Sequence, residues 1–205
     1  VRRATKSGGD QPVYRAFEGQ ILFELGRFEE ARRVLDHAVA LDQESPHALY
    51  HLGLTQERQG DLAEAERSFT HANALDPEHY LLPADLDDGE FKLAVDEALA
   101  NLPRSIREYI ENVPVLVEDY PPAAMVEQEN VSPQILGIFM GVPRTQASAT
   151  SQAADLDRVV IFKKNLEKVC SDREELIEQI QVTVRHEIGH YLGLDEDDME
   201  RLGLA

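Results

Sequence analysis

The chain has 205 residues, 42% hydrophobic and 29% charged, with a formal net charge of −19. This is a globular balance without the ~20-residue apolar run of a membrane helix, and its acidity repels phosphates and anionic headgroups. Nucleic acid and membrane are therefore not expected partners. Cys170 is the single cysteine, so neither an internal disulfide nor a cysteine-held metal is available. The opening VRRATKSGGD lacks the apolar stretch of a secretory signal, which makes the cytoplasm the expected location. The acid is unevenly spread: residues 1–80 carry 9 Lys/Arg against 14 Asp/Glu, and residues 81–205 carry 11 against 25.

Residues 11–80 read as one domain. Gly19 returns as Gly53, Gly26 as Gly60, Ala31 as Ala65, Ala38 as Ala72 and Leu41-Asp42 as Leu75-Asp76, each 34 residues later. That period belongs to helix-turn-helix solenoids, with small residues where paired helices cross. Helices are expected near 12–25, 28–41, 46–59 and 62–75, with Phe28, Leu35, Leu62 and Phe69 filling the space between units. Leu49, Leu52-Gly53, Gly60, Ala65, Phe69, Ala72 and Pro77 resemble a tetratricopeptide repeat, without its usual aromatic residues early in the first helix. The preceding unit matches less well, with Arg15 and Glu18 at apolar positions. Two repeats call for support from a further helix, from the second domain or from a second copy in a homodimer.

Residues 81–205 read as a second domain, entered through the Pro- and Asp-rich linker 76–88. Glu90–Leu102 has helical apolar spacing, and Pro103 opens a short helix to about Asn112. Strands are expected at Val115–Glu118, Gln134–Met140 and Arg158–Phe162, with a polar loop over Gly141–Asp157. Ser171 and Glu174 form the pattern of a capping box. Leu176, Ile177, Ile180, Val184, Ile188 and Tyr191 then make an apolar stripe, and Gly193 stands where a left-handed residue ends a helix. The fold class is α+β.

Residues 186–190 read His-Glu-Ile-Gly-His. Histidines four apart on a helix share a face, so His186 and His190 can converge on one zinc ion (Zn2+) at ~2.0–2.1 Å. Glu187 lies ~100° round the helix, poorly placed to join them as a ligand but well placed to take a proton from a zinc-activated water. In the 15 residues after His190, the expected third ligand lies in Leu194–Asp198, after a reversal at Gly193.

The run His186–Glu196 resembles the extended zinc motif of the metzincins, whose third ligand comes three residues after the glycine, here Glu196. That position more usually holds His or Asp, so Asp195 and Asp197 stay open as alternatives. Phe91–Pro103, Val115–Pro121, Gly137–Pro143 and Val159–Phe162 extend the likeness to the bacterial zincin-like metallopeptidases of minimal metzincin type. The resemblance implies a small zincin-like domain with a short mixed sheet packed on an active-site helix. It also implies a zinc metallopeptidase in which Glu187 is the general base. No segment follows that could form a methionine turn, and Met199 reads as packing for a last short helix near 197–203.

Other candidates read as structural: Arg185 as a surface ion pair, Tyr191 as core, and His37, His47, His51, His71 and His79 as surface or groove residues of the repeats. The leading function is peptide hydrolysis, with the repeats recruiting a protein substrate or partner. The first alternative is a repeat-based adaptor with a structural or inactive zinc site. A third reading is a zinc hydrolase acting on a small amide.

Overall fold

The computed structural model describes residues 11–141 and 157–202, with the side chains of Glu196, Glu200 and Leu202 outside that description. The polar loop expected over 141–157 lies almost wholly outside it. Among the described residues the elements run α1 (Pro12–Glu24), α2 (Phe28–Leu41), α3 (Pro46–Arg58), α4 (Leu62–Leu75), α5 (Asp88–Ala100), α6 (Arg104–Ile110), β1 (Val115–Glu118), α7 (Ala123–Glu129), β2 (Gly137–Met140), β3 (Arg158–Phe162), α8 (Lys163–Val169), α9 (Arg173–Leu192) and α10 (Glu196–Leu202). Contacts divide the chain into two compact units. One holds the residues up to Leu82 together with Pro122–Pro133, and the other holds Pro83–Pro121 and the residues from Gln134 onward.

The first unit is two helical hairpins, α1–α2 and α3–α4. Pro12 and Pro46 open their helices where a missing N–H costs nothing, and the Ser45 hydroxyl accepts from the Ala48 N–H at 3.3 Å. Gly26 and Gly60 turn the chain between paired helices at φ of 74° and 84°. At Gly19 and Gly53 the space of a Cβ is taken by Leu35 and Phe69; on Gly53 that atom would lie 2.7 Å from Phe69 Cε1. Leu35 and Phe69 therefore fill the hairpins from within rather than the space between units. Leu62, expected beside them, is 62% exposed and fills neither.

Two hairpins alone leave an end uncovered, and α7 contributes here. A Cβ on Gly26 would meet Val126 Cγ1 at 3.0 Å, and the Ser132 hydroxyl donates to Glu24 Oε2 at 3.1 Å. Met125 and Val126 are buried. The sequence showed no helical periodicity long enough to predict this seven-residue helix, whose apolar residues are too few for a stripe.

The second unit is built on a three-stranded mixed sheet in the order β1-β3-β2, with β1 parallel and β2 antiparallel to β3. Central β3 buries Val159, Val160, Ile161 and Phe162, as a strand covered on both faces must. β2 is shorter than the expected 134–140, and the Asn165 side-chain amide takes the Ile135 carbonyl at 2.8 Å just before it. Asp87 and Glu90 close a capping box at the start of α5, two residues ahead of the expected helix start. The linker 76–88 is not wholly solvated: Ala84 and Leu86 are buried in the core of this unit, and the Ala84 N–H donates to the Glu167 carbonyl at 2.8 Å. Cys170 is buried too, and burial pushes its thiol up to about 11, which makes it a core residue rather than a reactive thiol. Among the described residues no helix is long and apolar enough to cross a membrane.

α9 fills the centre of this unit. Leu176, Ile180, Val184 and Ile188 are fully buried along one stripe and Tyr191 nearly so. Its N-cap is Asp172, one residue later than expected, whose Oδ1 accepts from the N–H groups of Glu174 and Glu175 at 2.9 and 3.0 Å. A carboxylate is the stronger acceptor for these orphan donors, and Ser171 instead donates to Glu175.

In the repeats, His51 is 6% exposed, its Nδ1 has no hydrogen-bond partner among the described residues, and its ring stands against Phe23, His47 and Tyr50. Burial, and then the neighbouring His47, push it down to about 3. The folded state thus holds His51 neutral while the unfolded chain titrates near ~6.5. Its contribution to stability is complete above that pH and is lost as pH falls below it, at about 1.4 kcal/mol per pH unit. Urea unfolding of wild type and His51→Leu between pH 7 and 5 should show this slope in wild type and a shallower one in the variant. Parallel pH profiles would refute the assignment.

Candidate active site

One face of α9 lines a cleft of about 590 Å³ closed on its other side by Gln134–Phe139. The helix contributes Gln179, Val182, Thr183, His186, Glu187 and His190. Their spacing of three to four residues is one helical face. Of these, only His186, Glu187 and His190 were singled out from the sequence. Gln179 and Thr183 stand two and one turns earlier on the same face, so that helical spacing was the signal that could have found them.

His186 Nε2 and His190 Nε2 stand 3.0 Å apart, with ring centroids at 4.6 Å and planes perpendicular. At this separation one ring N–H can donate to the other ring nitrogen. It also lies within a few tenths of an ångström of the ~3.3 Å that two ligands ~2.05 Å from one tetrahedral ion would have. The donor pair therefore fits a zinc ion with a small opening of the rings. Among the described residues no group of three His, Cys, Asp or Glu side chains forms a complete metal site.

Glu187 faces the same cleft and is 7% exposed. Its Oε2 accepts from the Phe139 N–H at 2.7 Å, the short distance of a charge-assisted bond. Sequence reading did not find this partner, because a backbone N–H carries no residue signature. The antiparallel register pairs Ile138 with Val160, and the Leu136 carbonyl accepts from Phe162 N. Alternate residues Gly137 and Phe139 thus turn their backbone groups away from β3 and towards α9. Gly137 makes the approach possible: a Cβ there would lie 2.9 Å from Thr183 Cγ2 and 3.0 Å from Glu187 Cγ.

Beyond His190 the chain reverses as expected at Gly193, which takes φ 78°. Gly193 N and Leu194 N donate to the carbonyls of His190 and Gly189 at 3.0 and 3.1 Å. Asp195 then caps α10, its Oδ1 accepting from the Asp198 N–H at 2.9 Å. Glu196 is the first residue of α10, and its side chain lies outside the described residues. Met199 is fully buried and occupies the space of the missing Cβ at Gly189, within the histidine motif itself. Tyr191 is buried beside Phe139, with its hydroxyl 3.5 Å from the Tyr109 carbonyl, as a core residue would be. Arg185, expected in a surface ion pair, forms none among the described residues, and its Nε is buried without a hydrogen-bond partner.

Replacing Gly137 by alanine should force β2 away from α9. Unfolding should lose about 1–3 kcal/mol, as for other overpacked sites, and the Phe139 amide should exchange faster with solvent. Adding Thr183→Ser, which removes the nearest methyl group, should restore part of both. Unchanged protection at Phe139 in Gly137→Ala would show that the close approach is not needed.

Residues 110–204 match the zincin-like metallopeptidase family. Residues 19–60 match a TPR repeat family and 46–79 a tetratricopeptide repeat. Comparison with curated proteins finds no match. The chain therefore joins a segment that matches tetratricopeptide repeat families to one that matches the zincin-like metallopeptidase family.

Proposed function

We propose that this protein is a zinc-dependent peptidase, with His186, His190 and Glu196 as ligands, Glu187 as general base, and the repeats recruiting a protein substrate or partner. The observation that carries this reading is the meeting of the two imidazoles on a cleft face beside a carboxylate held by a strand N–H. Zinc bound there supplies a Lewis acid that polarises a carbonyl and brings the pKa of water towards ~7. The chain's own groups do the rest. Glu187, kept in place by Phe139 N–H, takes a proton from the attacking water and passes it to the leaving amine.

Glu196 is favoured over Asp195 as the third ligand because Asp195 already spends an oxygen on capping α10. Glu196→Ala should lose stoichiometric zinc, read by metal analysis after dialysis. Asp195→Asn, whose amide oxygen can still cap, and Asp197→Asn should keep it. Zinc retained by Glu196→Ala would return the ligand position to one of the aspartates.

The catalytic reading is tested by mapping cleavage sites in a whole proteome with wild type and Glu187→Gln. The expected outcome is a fall in cleavage rate of about 10²–10⁴ with zinc content unchanged. Indistinguishable cleavage profiles with zinc bound would leave an adaptor with a structural metal.

A further inference from the structure

We propose that the free edge of β1 is a docking site for an extended peptide segment of alternating apolar residues ending in lysine or arginine, which joins the sheet as a fourth strand. This edge is on the opposite side of the sheet from β2 and the histidine cleft, so the inference is independent of the peptidase reading.

Four observations converge on it. First, among the described residues β1 pairs on one side only. Val159 N donates to the Pro114 carbonyl, and the register sets Val115 beside Val159 and Val117 beside Ile161. In a parallel ladder with that phase, Leu116 and Glu118 bond to β3 while Val115 and Val117 turn their N–H and C=O groups outward. Leu116 and Val117 are each 40% exposed, an unusual pair of apolar residues on an open edge.

Second, a groove of about 690 Å³ runs along this strand, with α5 as its other wall. Third, the wall is apolar. Phe91, Val95 and Leu99 recur every four residues along it, the first two buried in the core and Leu99 half-buried, so Leu99 is the one of the three that offers surface to an added strand.

Fourth, the charge is graded. Lys163 is buried on Asp88 at 2.6 Å with Glu167 at 3.7 Å, and Lys92 is paired with Asp96 at 2.8 Å. Both ammonium groups of the groove are thus already neutralised. Glu118 and Asp119, at the other side of the same end, enter no ion pair among the described residues, and both are exposed. The excess negative charge selects a cationic residue there. It also disfavours parallel pairing of two β1 edges from two copies of this chain, which would set Glu118 beside Glu118.

The test is an NMR titration of the full chain at low salt, in a Glu187→Gln background so that the probe is not consumed. The probe is a blocked octapeptide of alternating valine and threonine that ends in two arginines. The Val115 and Val117 amides should shift. A control peptide ending in two glutamates should bind about tenfold more weakly, and so should the arginine peptide to the double variant Glu118→Lys, Asp119→Lys. Shifts confined to Gly137–Phe139, equal affinity for the two peptides, or peptide-independent dimerisation through β1 would each overturn the proposal.

Discussion

The Phe139 N–H and the Glu187 carboxylate meet at 2.7 Å because nothing stands between β2 and α9 at Gly137. Much of the second unit follows from that approach. The helix presents Leu176, Ile180, Val184 and Ile188 to the core, and this stripe fixes its rotation. Once the rotation is fixed, the face carrying Thr183, Glu187 and the two histidines can look only into the cleft. The strand then supplies the one group that a helix cannot supply to its own side chain, an N–H that is not used in the helix ladder. A buried carboxylate without such a donor would carry the cost of an unsatisfied charge.

A second glycine in the motif does comparable service on another face. Gly189 leaves room for Met199, so the chain after Gly193 can lie close against the helix that it has just left. The Gly193 turn and the Asp195 cap hold the short α10 there, which is too brief to be stable on its own propensity. The repeats use the same physical device. Gly19 and Gly53 admit Leu35 and Phe69, and the 34-residue period is obeyed by the large residue as well as by the small one.

The two edges of the sheet have been given different surroundings. β2 faces the histidines and has one outward N–H engaged by Glu187. β1 borders apolar residues of α5 and two carboxylates that enter no ion pair among the described residues. Edge strands are ordinarily protected by charge, brevity or cover. Here both are short, and each borders a cavity.

By itself the sequence determined whatever depends on periodicity and local chemistry. The four repeat helices, the strands Val115–Glu118 and Arg158–Phe162, the long helix with its stripe and the reversal at Gly193 were all legible, because spacing and turn residues dictate them locally. The side-by-side placement of His186 and His190 was legible for the same reason. Tertiary structure alone decided the rest. It placed the Phe139 N–H on Glu187, Met199 against Gly189 and α7 beside Gly26, and it moved the N-cap from Ser171 to Asp172. The first and third join residues far apart in the chain, the first through a backbone group that every residue carries, and the second depends on how closely the chain folds back after Gly193. The fourth turned on which of two neighbouring acceptors the backbone could reach, and only the folded geometry settles that.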